Sequence, residues 1–112
     1  MANALVLFAN TPGPLPIKHE FEAPSDAPVN LFVSGSARTG SAPTLLAVDI
    51  ELDGKVIGSI VEWFNENESH RALVPVVIPV QFGFGPHSIR LVPQSGATIT
   101  DSNDHFNAVI ML

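Results

Sequence analysis

Oxygen- and nitrogen-bearing side chains are concentrated between Asp101 and Asn107, directly before an apolar run at residues 108–112. Carboxylate and amide oxygens are the hard ligands that Ca²⁺ prefers. The residues that could bind such an ion are Asp101, Asn103, Asp104 and Asn107. The spacing is not that of an EF-hand loop, because His105 stands at the fifth position and no glycine follows it. The alternative is an Asx-rich turn whose side chains bond neighbouring backbone amides.

A second polar cluster follows Trp63, and its members are Asn65, Glu66, His70 and Arg71. An exposed indole beside amides, a carboxylate and a guanidinium can cover the apolar face of a sugar ring while the polar groups take its hydroxyls. The competing interpretation is a solvated loop with Trp63 in the core. Alternation favours that interpretation, because it puts Trp63 in register with Ile57 and Val61.

The run Asn103-Asp104-His105-Phe106-Asn107-Ala108-Val109 resembles the Asn-Asp-x-x-Asp-Ala-Val run of the calcium-dependent fucose-binding bacterial lectins. The resemblance covers about seven residues and implies a β-sandwich whose acidic loop binds sugar hydroxyls through Ca²⁺. Asp104 and Asn107 would then correspond to ligand positions, whereas Ser102 and Phe106 stand where the family has Asp and Asn. In that family the C-terminus of a dimer partner completes the site.

The composition excludes several functional classes. Five Lys and Arg residues against eleven Asp and Glu residues give a net charge of −6, the wrong sign for binding nucleic acid or an anionic membrane. No run reaches membrane-spanning length, and the N-terminus lacks the features of a signal peptide, which predicts a cytoplasmic protein unless export uses another route. Without cysteine there is no disulfide framework and no thiol catalysis. Only 14% of residues are charged, so a largely neutral surface predicts a homo-oligomer.

Ten prolines and eight glycines punctuate short apolar runs, and no window has helical periodicity, which is typical of an all-β chain. The clearest unit is a hairpin over residues 46–63, where Asp53-Gly54 separates two alternating runs and predicts a type I′ turn. The other predicted strands span residues 4–9, 17–22, 29–34, 72–80, 87–92 and 106–112, with 97–100 as an optional short one. One domain over residues 1–112 is expected, folded as a two-layer antiparallel β-sandwich of jelly-roll or Greek-key type with eight or nine strands. A closed barrel is the alternative.

Two segments carry more specific predictions. Pro75 and Pro79 cannot donate to a β-ladder, so the strand at 72–80 is expected at a sheet edge or bulged. Residues 34–43 are rich in Ser, Gly and Ala, which predicts a flexible loop.

The sequence lacks a nucleophile elbow and a phosphate-binding glycine loop, so we expect no enzyme. The predicted function is a non-catalytic, lectin-like carbohydrate-binding module that acts as a multivalent homo-oligomer, with or without bound Ca²⁺. Direct contact with the glycan is assigned first to Asp101, Asn103, Asp104, His105 and Asn107, and second to Trp63, Asn65, Glu66, His70 and Arg71. The alternative function is a structural subunit whose neutral surface serves assembly and which binds no small ligand.

Overall fold

The computed structural model describes residues 4–112 and contains ten strands. Their bounds are β1 Ala4–Pro12, β2 Ile17–Ala23, β3 Pro28–Ser34, β4 Ser36–Ala37, β5 Thr44–Leu52, β6 Lys55–Phe64, β7 Arg71–Ala72, β8 Val76–Gln81, β9 Gly85–Pro93 and β10 His105–Met111. No helix of the described residues is long and apolar enough to cross a membrane.

The eight longer strands form two antiparallel four-stranded sheets, with the orders β1-β10-β3-β8 and β2-β9-β5-β6. Consecutive strands lie in opposite sheets except in the β5–β6 hairpin, which is the arrangement of a jelly roll. The all-β sandwich expected from the sequence is therefore confirmed, and the closed barrel is wrong because each sheet has two edges.

The β5–β6 hairpin has the predicted turn. Asp53 and Gly54 have φ values of 50° and 85°, and Leu52 pairs with Lys55 across them. Positive φ at both central residues defines the type I′ turn, whose twist matches that of the flanking strands. A β-bulge lies just beyond it, because Ile50 pairs with Gly58 while Glu51 pairs with Val56, which leaves Ile57 as the extra residue.

The inward faces of both sheets form one apolar core, with Leu31, Ile50, Phe64, Phe106 and Ile110 among its most buried members. Two-residue periodicity produces this layer, since alternate residues of each strand face inward. At one side of the sandwich Gly58 of β6 lies against Ile78 of β8, where a Cβ on Gly58 would stand 2.7 Å from Ile78 Cδ1. The edge strands β6 and β8 therefore meet at this side.

Three sequence predictions about element bounds need correction. The segment 72–80 contains the two-residue strand β7 and the edge strand β8, separated by residues 73–75, and the edge position is as expected. Residues 97–100 form no strand, because Ile99 makes only an isolated bridge to Arg38.

The third correction concerns residues 34–43, which are not a featureless loop. Ser36–Ala37 pairs with Arg71–Ala72, Thr39 is fully buried, and a Cβ on Gly35 would overlap the Phe106 ring. Small residues are used here because the backbone packs directly on that ring, and such packing leaves no periodic apolar pattern to read.

Candidate functional site

Asp104 is the centre of the C-terminal polar segment, and it is fully buried. Its Oδ1 accepts hydrogen bonds from the Ser36 hydroxyl at 2.6 Å and from His70 Nδ1 at 2.8 Å. Its Oδ2 accepts the backbone N–H of Asp101 at 2.9 Å. One carboxylate therefore joins three segments that are distant in sequence, and the short strands β4 and β7 hold two of them beside it.

The electrostatics of Asp104 follow from these contacts. Burial alone would raise the pKa of the carboxyl, because it penalises the charged form. The hydrogen bonds from Ser36, His70 and the Asp101 amide act in the opposite direction and prevail, so that the pKa of Asp104 lies below its usual value. The buried group is thus an ionised carboxylate whose oxygens are occupied by protein donors.

Asp101 and Arg38 extend this network towards solvent. Asp101 Oδ2 lies 3.5 Å from His70 Nε2 and 3.9 Å from Arg38 Nε, and Arg38 Nη1 lies 2.7 Å from Glu68 Oε2. His70 therefore stands between two carboxylates, one at each ring nitrogen. We call Ser36, Arg38, Glu68, His70, Asp101 and Asp104 the Asp104 cluster.

The Asp104 cluster offers three metal-ligating groups, since single ligand atoms of His70, Asp101 and Asp104 lie within 4.8 Å of one another. This donor set fits Ca²⁺ poorly, because Ca²⁺ takes six to eight oxygen ligands and one of the three donors here is nitrogen. The amide oxygen of Asn107, another predicted ligand, accepts the backbone N–H of Asn10 at 2.9 Å, and its nitrogen donates to Ser34 at 3.1 Å. A calcium ion would need oxygen ligands beyond those that the described side chains bring together.

The remaining residues of the C-terminal segment have ordinary structural surroundings. The backbone N–H of Asn103 donates to Asp101 Oδ1 at 2.8 Å, which is an Asx turn. His105 begins β10, is exposed and pairs with Pro12 of β1. The segment that the sequence predicts as a ligand site therefore includes an internally hydrogen-bonded turn.

Trp63 of β6 is 52% exposed on the outer face of the sheet β2-β9-β5-β6, and its cross-strand partner Leu45 is 55% exposed. The indole Nε1–H donates to Asn65 Oδ1 at 2.7 Å, which fixes the ring while leaving half of it to solvent. Further along the same face, Asp49 Oδ1 accepts from Ser59 at 2.6 Å and from Gln94 at 3.2 Å. We call Leu45, Trp63 and Asn65, with Asp49 beyond them, the Trp63 face.

The core position that alternation favours for Trp63 is wrong, and the β-bulge is the reason. Ile57 is the extra residue of that bulge and packs partly against the core, so it does not share the face of Val61 and Trp63. Val61 is 48% exposed beside Trp63. A bulge reverses the pattern of alternation, and the isolated Gly58 within residues 56–61 is the sequence signal that could have indicated one.

The structure divides the second predicted cluster between two sites. Asn65 stays with Trp63, whereas His70 belongs to the Asp104 cluster. Arg71 lies between them, with Nη2 3.2 Å from Glu62, Nη1 donating to the Trp63 carbonyl at 3.4 Å, and its guanidinium carbon 4.8 Å from the centre of the Phe64 ring. Glu66 is exposed in the turn after β6.

A third polar site, absent from the sequence predictions, lies at the hairpin turn. His87 Nδ1 is 2.6 Å from Asp53 Oδ2, and His87 Nε2 is hydrogen-bonded to the Gly83 carbonyl. Both partners are acceptors, so the ring donates from both nitrogens. The hydrogen bond with Asp53 raises the pKa of His87, and the same bond lowers the pKa of Asp53.

A groove of about 460 Å³ borders this pair. The two residues are 34 positions apart, and only the pairing of strands brings them together.

The chain matches no protein-family model and no curated protein. Solved structures share its fold class, which is that of two-sheet β-sandwich domains. Dimeric latent PorU from Porphyromonas gingivalis matches 97% of the chain with a TM-score of 0.64 and 11% identity, and the chain spans only 12% of that protein. PNGF-II matches 96% of the chain with a TM-score of 0.60 and 15% identity, and the chain spans 29% of it.

A family 35 carbohydrate-binding module from Clostridium thermocellum is also similar, with a TM-score of 0.50, 13% identity, and coverage of 96% of this chain and 88% of the module. At these identities the similarity shows the fold alone.

Proposed function

We propose that this chain is a non-catalytic carbohydrate-binding domain that contacts its glycan through the Trp63 face. The observation that carries the proposal is an indole that is half exposed yet held in place by Asn65 at 2.7 Å. A fixed aromatic ring covers the apolar face of a sugar with little loss of conformational entropy, and flanking amide and carboxylate groups take the hydroxyls.

Two further features support this assignment. Leu45 lies directly across from Trp63 and widens the apolar platform, while Asp49, Ser59 and Gln94 provide hydrogen-bonding groups on the same outer face. The shared fold with a carbohydrate-binding module agrees with the proposal, although the fold by itself assigns no ligand.

Calcium is not part of the proposed contact. The Asp104 cluster supplies one nitrogen ligand and two carboxylates, and the His70 ring is already hydrogen-bonded to the Asp104 carboxylate. Such a donor set is a poor match to the oxygen-rich sites of Ca²⁺. We therefore assign to Asp104 a structural role, which is to join the segments that contain Ser36, His70 and Asp101. His70 and Asp101 are its partly exposed partners.

The test begins with a glycan-array screen of the purified domain, with Ca²⁺ and then with EDTA. We expect binding that persists in EDTA. Binding that EDTA abolishes would move the site to His70, Asp101 and Asp104, and failure to bind any glycan would favour a structural subunit.

A glycan that binds is then titrated in solution while tryptophan fluorescence is recorded. Trp63 is the single tryptophan of the chain, so a change in emission reports on this face alone. Trp63→Ala should weaken binding measured by calorimetry at least about tenfold, which is about 1.4 kcal/mol. Val77→Ala, an exposed apolar position on β8, is the matched control and should bind as the wild type does. Equal affinity of the two variants would contradict the proposal.

A structural subunit remains the second candidate function, and one observation favours it. The exposed apolar side chains Val56, Val61 and Trp63 all lie on β6, which is the edge strand of its sheet. An apolar edge is suited to pairing with another chain.

A further inference from the structure

The two sheets have four edge strands, and three of them carry features that hinder pairing with another chain. β8 contains Pro79 and follows Pro75, and proline cannot donate to a ladder. β1 has two register shifts against β10 and places Asn10 at a φ of 51°. Bulges and left-handed residues of this kind twist an edge away from a partner.

The third protected edge is β2. Lys18, Glu20 and Glu22 alternate along its outer side and are exposed. Like or unmatched charges along an edge discourage pairing with a second strand. Proline, bulges and charge thus each protect one edge of this sandwich.

β6 has none of these protections over residues 58–61, whereas at Glu62 and Trp63 its edge is covered by Arg71 and Val74. It is ten residues long and contains no proline, and its one bulge lies near the hairpin turn. Its carboxylate, Glu62, is turned inward, where it accepts the Val74 N–H at 2.9 Å and pairs with Arg71. In the described part of the chain, β6 is hydrogen-bonded along its length to β5 only.

The direction of the unpaired backbone groups follows from Arg71. Its Nη1 donates to the Trp63 carbonyl from the side opposite β5. Backbone groups alternate along a strand, so the N–H and C=O groups of Val61 and Ser59 point to that same outer side. They present a row of donors and acceptors that another strand could pair with.

We propose that β6 pairs antiparallel with β6 of a second copy of this chain, so that the two sheets β2-β9-β5-β6 join into one sheet of eight strands. The charges of β6 favour a second copy in this direction. Lys55 begins the strand, and the exposed carboxylate of Glu66 lies beyond its end, where Glu62 and Glu68 are already paired with Arg71 and Arg38. Antiparallel pairing brings Lys55 of each copy towards the acidic end of the other copy, and parallel pairing would bring like charges together.

The pairing has a consequence that rests on the proposed function. A two-fold axis perpendicular to a sheet keeps both outer faces on the same side, so the two Trp63 faces would lie on one surface. Two weak sites presented on one surface raise the apparent affinity for a dense glycan layer without any new contact to the sugar.

The test is sedimentation velocity over a concentration series without sugar, applied to the wild type and to three lysine variants. Val61→Lys and Val56→Lys place a charge on β6, and Val6→Lys on β1, at the opposite side of the sandwich, is the matched control, because these side chains are 48%, 50% and 57% exposed. We expect a wild-type dimer, at least about tenfold weaker dimerisation in both β6 variants, and wild-type dimerisation in Val6→Lys. A wild type that is monomeric at every concentration, or equal weakening in all three variants, overturns the pairing.

The second arm separates this proposal from the sugar site. Val56 lies outside the Trp63 face, so monomeric Val56→Lys should keep the solution affinity for the glycan and lose retention on a densely coated surface. Dimerisation without any glycan binding would support the edge pairing and reject the sugar proposal. Glycan binding by a monomeric wild type would support the sugar proposal and reject the edge pairing.

Discussion

The Asp104 cluster and the Trp63 face contain similar side-chain chemistry, but they use it in opposite ways. In the cluster, the carboxylate of Asp104 is fully buried, and its donors come from Ser36, His70 and Asp101. On the Trp63 face, one hydrogen bond from Asn65 fixes an indole that remains half exposed. The first arrangement joins loops, whereas the second leaves a hydrogen-bonded aromatic ring exposed to solvent.

The difference shows that a dense run of polar side chains can be engaged in hydrogen bonds within the protein. A run of Asp, Asn, Ser and His attracts attention because its side chains can bind metals or sugar hydroxyls. The same groups satisfy buried backbone and side-chain donors equally well. An exposed aromatic side chain held in a fixed position is the rarer observation and points more directly to a ligand.

The largest expected effect is on stability, and it comes from Asp104→Ala. The change leaves the Ser36 hydroxyl, the His70 ring nitrogen and the Asp101 N–H without their acceptor. We expect a loss of about 3 kcal/mol in the free energy of unfolding, measured with urea.

Asn103→Ala is the matched control for that measurement. Asn103 lies in the same turn and is exposed, and its recorded hydrogen bond is made by its backbone N–H. Removal of the Asn103 side chain should change the free energy of unfolding by less than about 0.5 kcal/mol. If both variants lose the same stability, Asp104 does not have the joining role assigned to it.

A smaller effect is expected at the Asp53–His87 pair, and it depends on pH. The pKa of His87 is raised above 6.5, so its contribution is complete below that value and is lost as the pH rises through the higher folded-state pKa. The pKa of Asp53 is lowered below 3.8, so its contribution is present above that value and is lost as the pH falls through the lower folded-state pKa.

The stability advantage of the wild type over His87→Gln should therefore be largest between about pH 4.5 and 6 and decline towards pH 8. Thermal midpoints of the two proteins across this range provide the comparison. An advantage that is constant with pH would show that the ring acts only by packing against Phe21 and Phe82.

The smallest effect is expected for Glu68→Gln at the outer end of the Asp104 cluster. The bond between Glu68 and Arg38 is 2.7 Å long, but the Glu68 side chain is 68% exposed. Solvent screening limits such pairs to about 0.5 kcal/mol. Urea unfolding should show a change of that size, and a loss close to that of Asp104→Ala would mean that the cluster acts as one unit up to its exposed end.

The sequence predicts the sandwich well and the site only in part. Asp53-Gly54 and the alternating runs around it fix a hairpin through local chemistry. Pro75 before β8 and Pro79 within it indicate an edge strand in the same way.

The exposure of Trp63 depends on a bulge that shifts Ile57, and the isolated Gly58 is the one local signal of that bulge. The partners of Asp104 could not be predicted, because Ser36 lies in a segment that has no apolar periodicity and is ordered by contacts with residues 30 to 68 positions away.

The most direct test of the central claim is a two-dimensional ¹H–¹⁵N NMR titration with a glycan identified on the array. The single indole N–H of Trp63 and the backbone amides of Leu45 and Asn65 report on one region, and the amides of Asp101, Asn103 and Asp104 report on the other. We predict that the Trp63 indole and its neighbours shift with the glycan while the amides of the Asp104 cluster remain in place. Shifts confined to residues 101–104 would contradict the account.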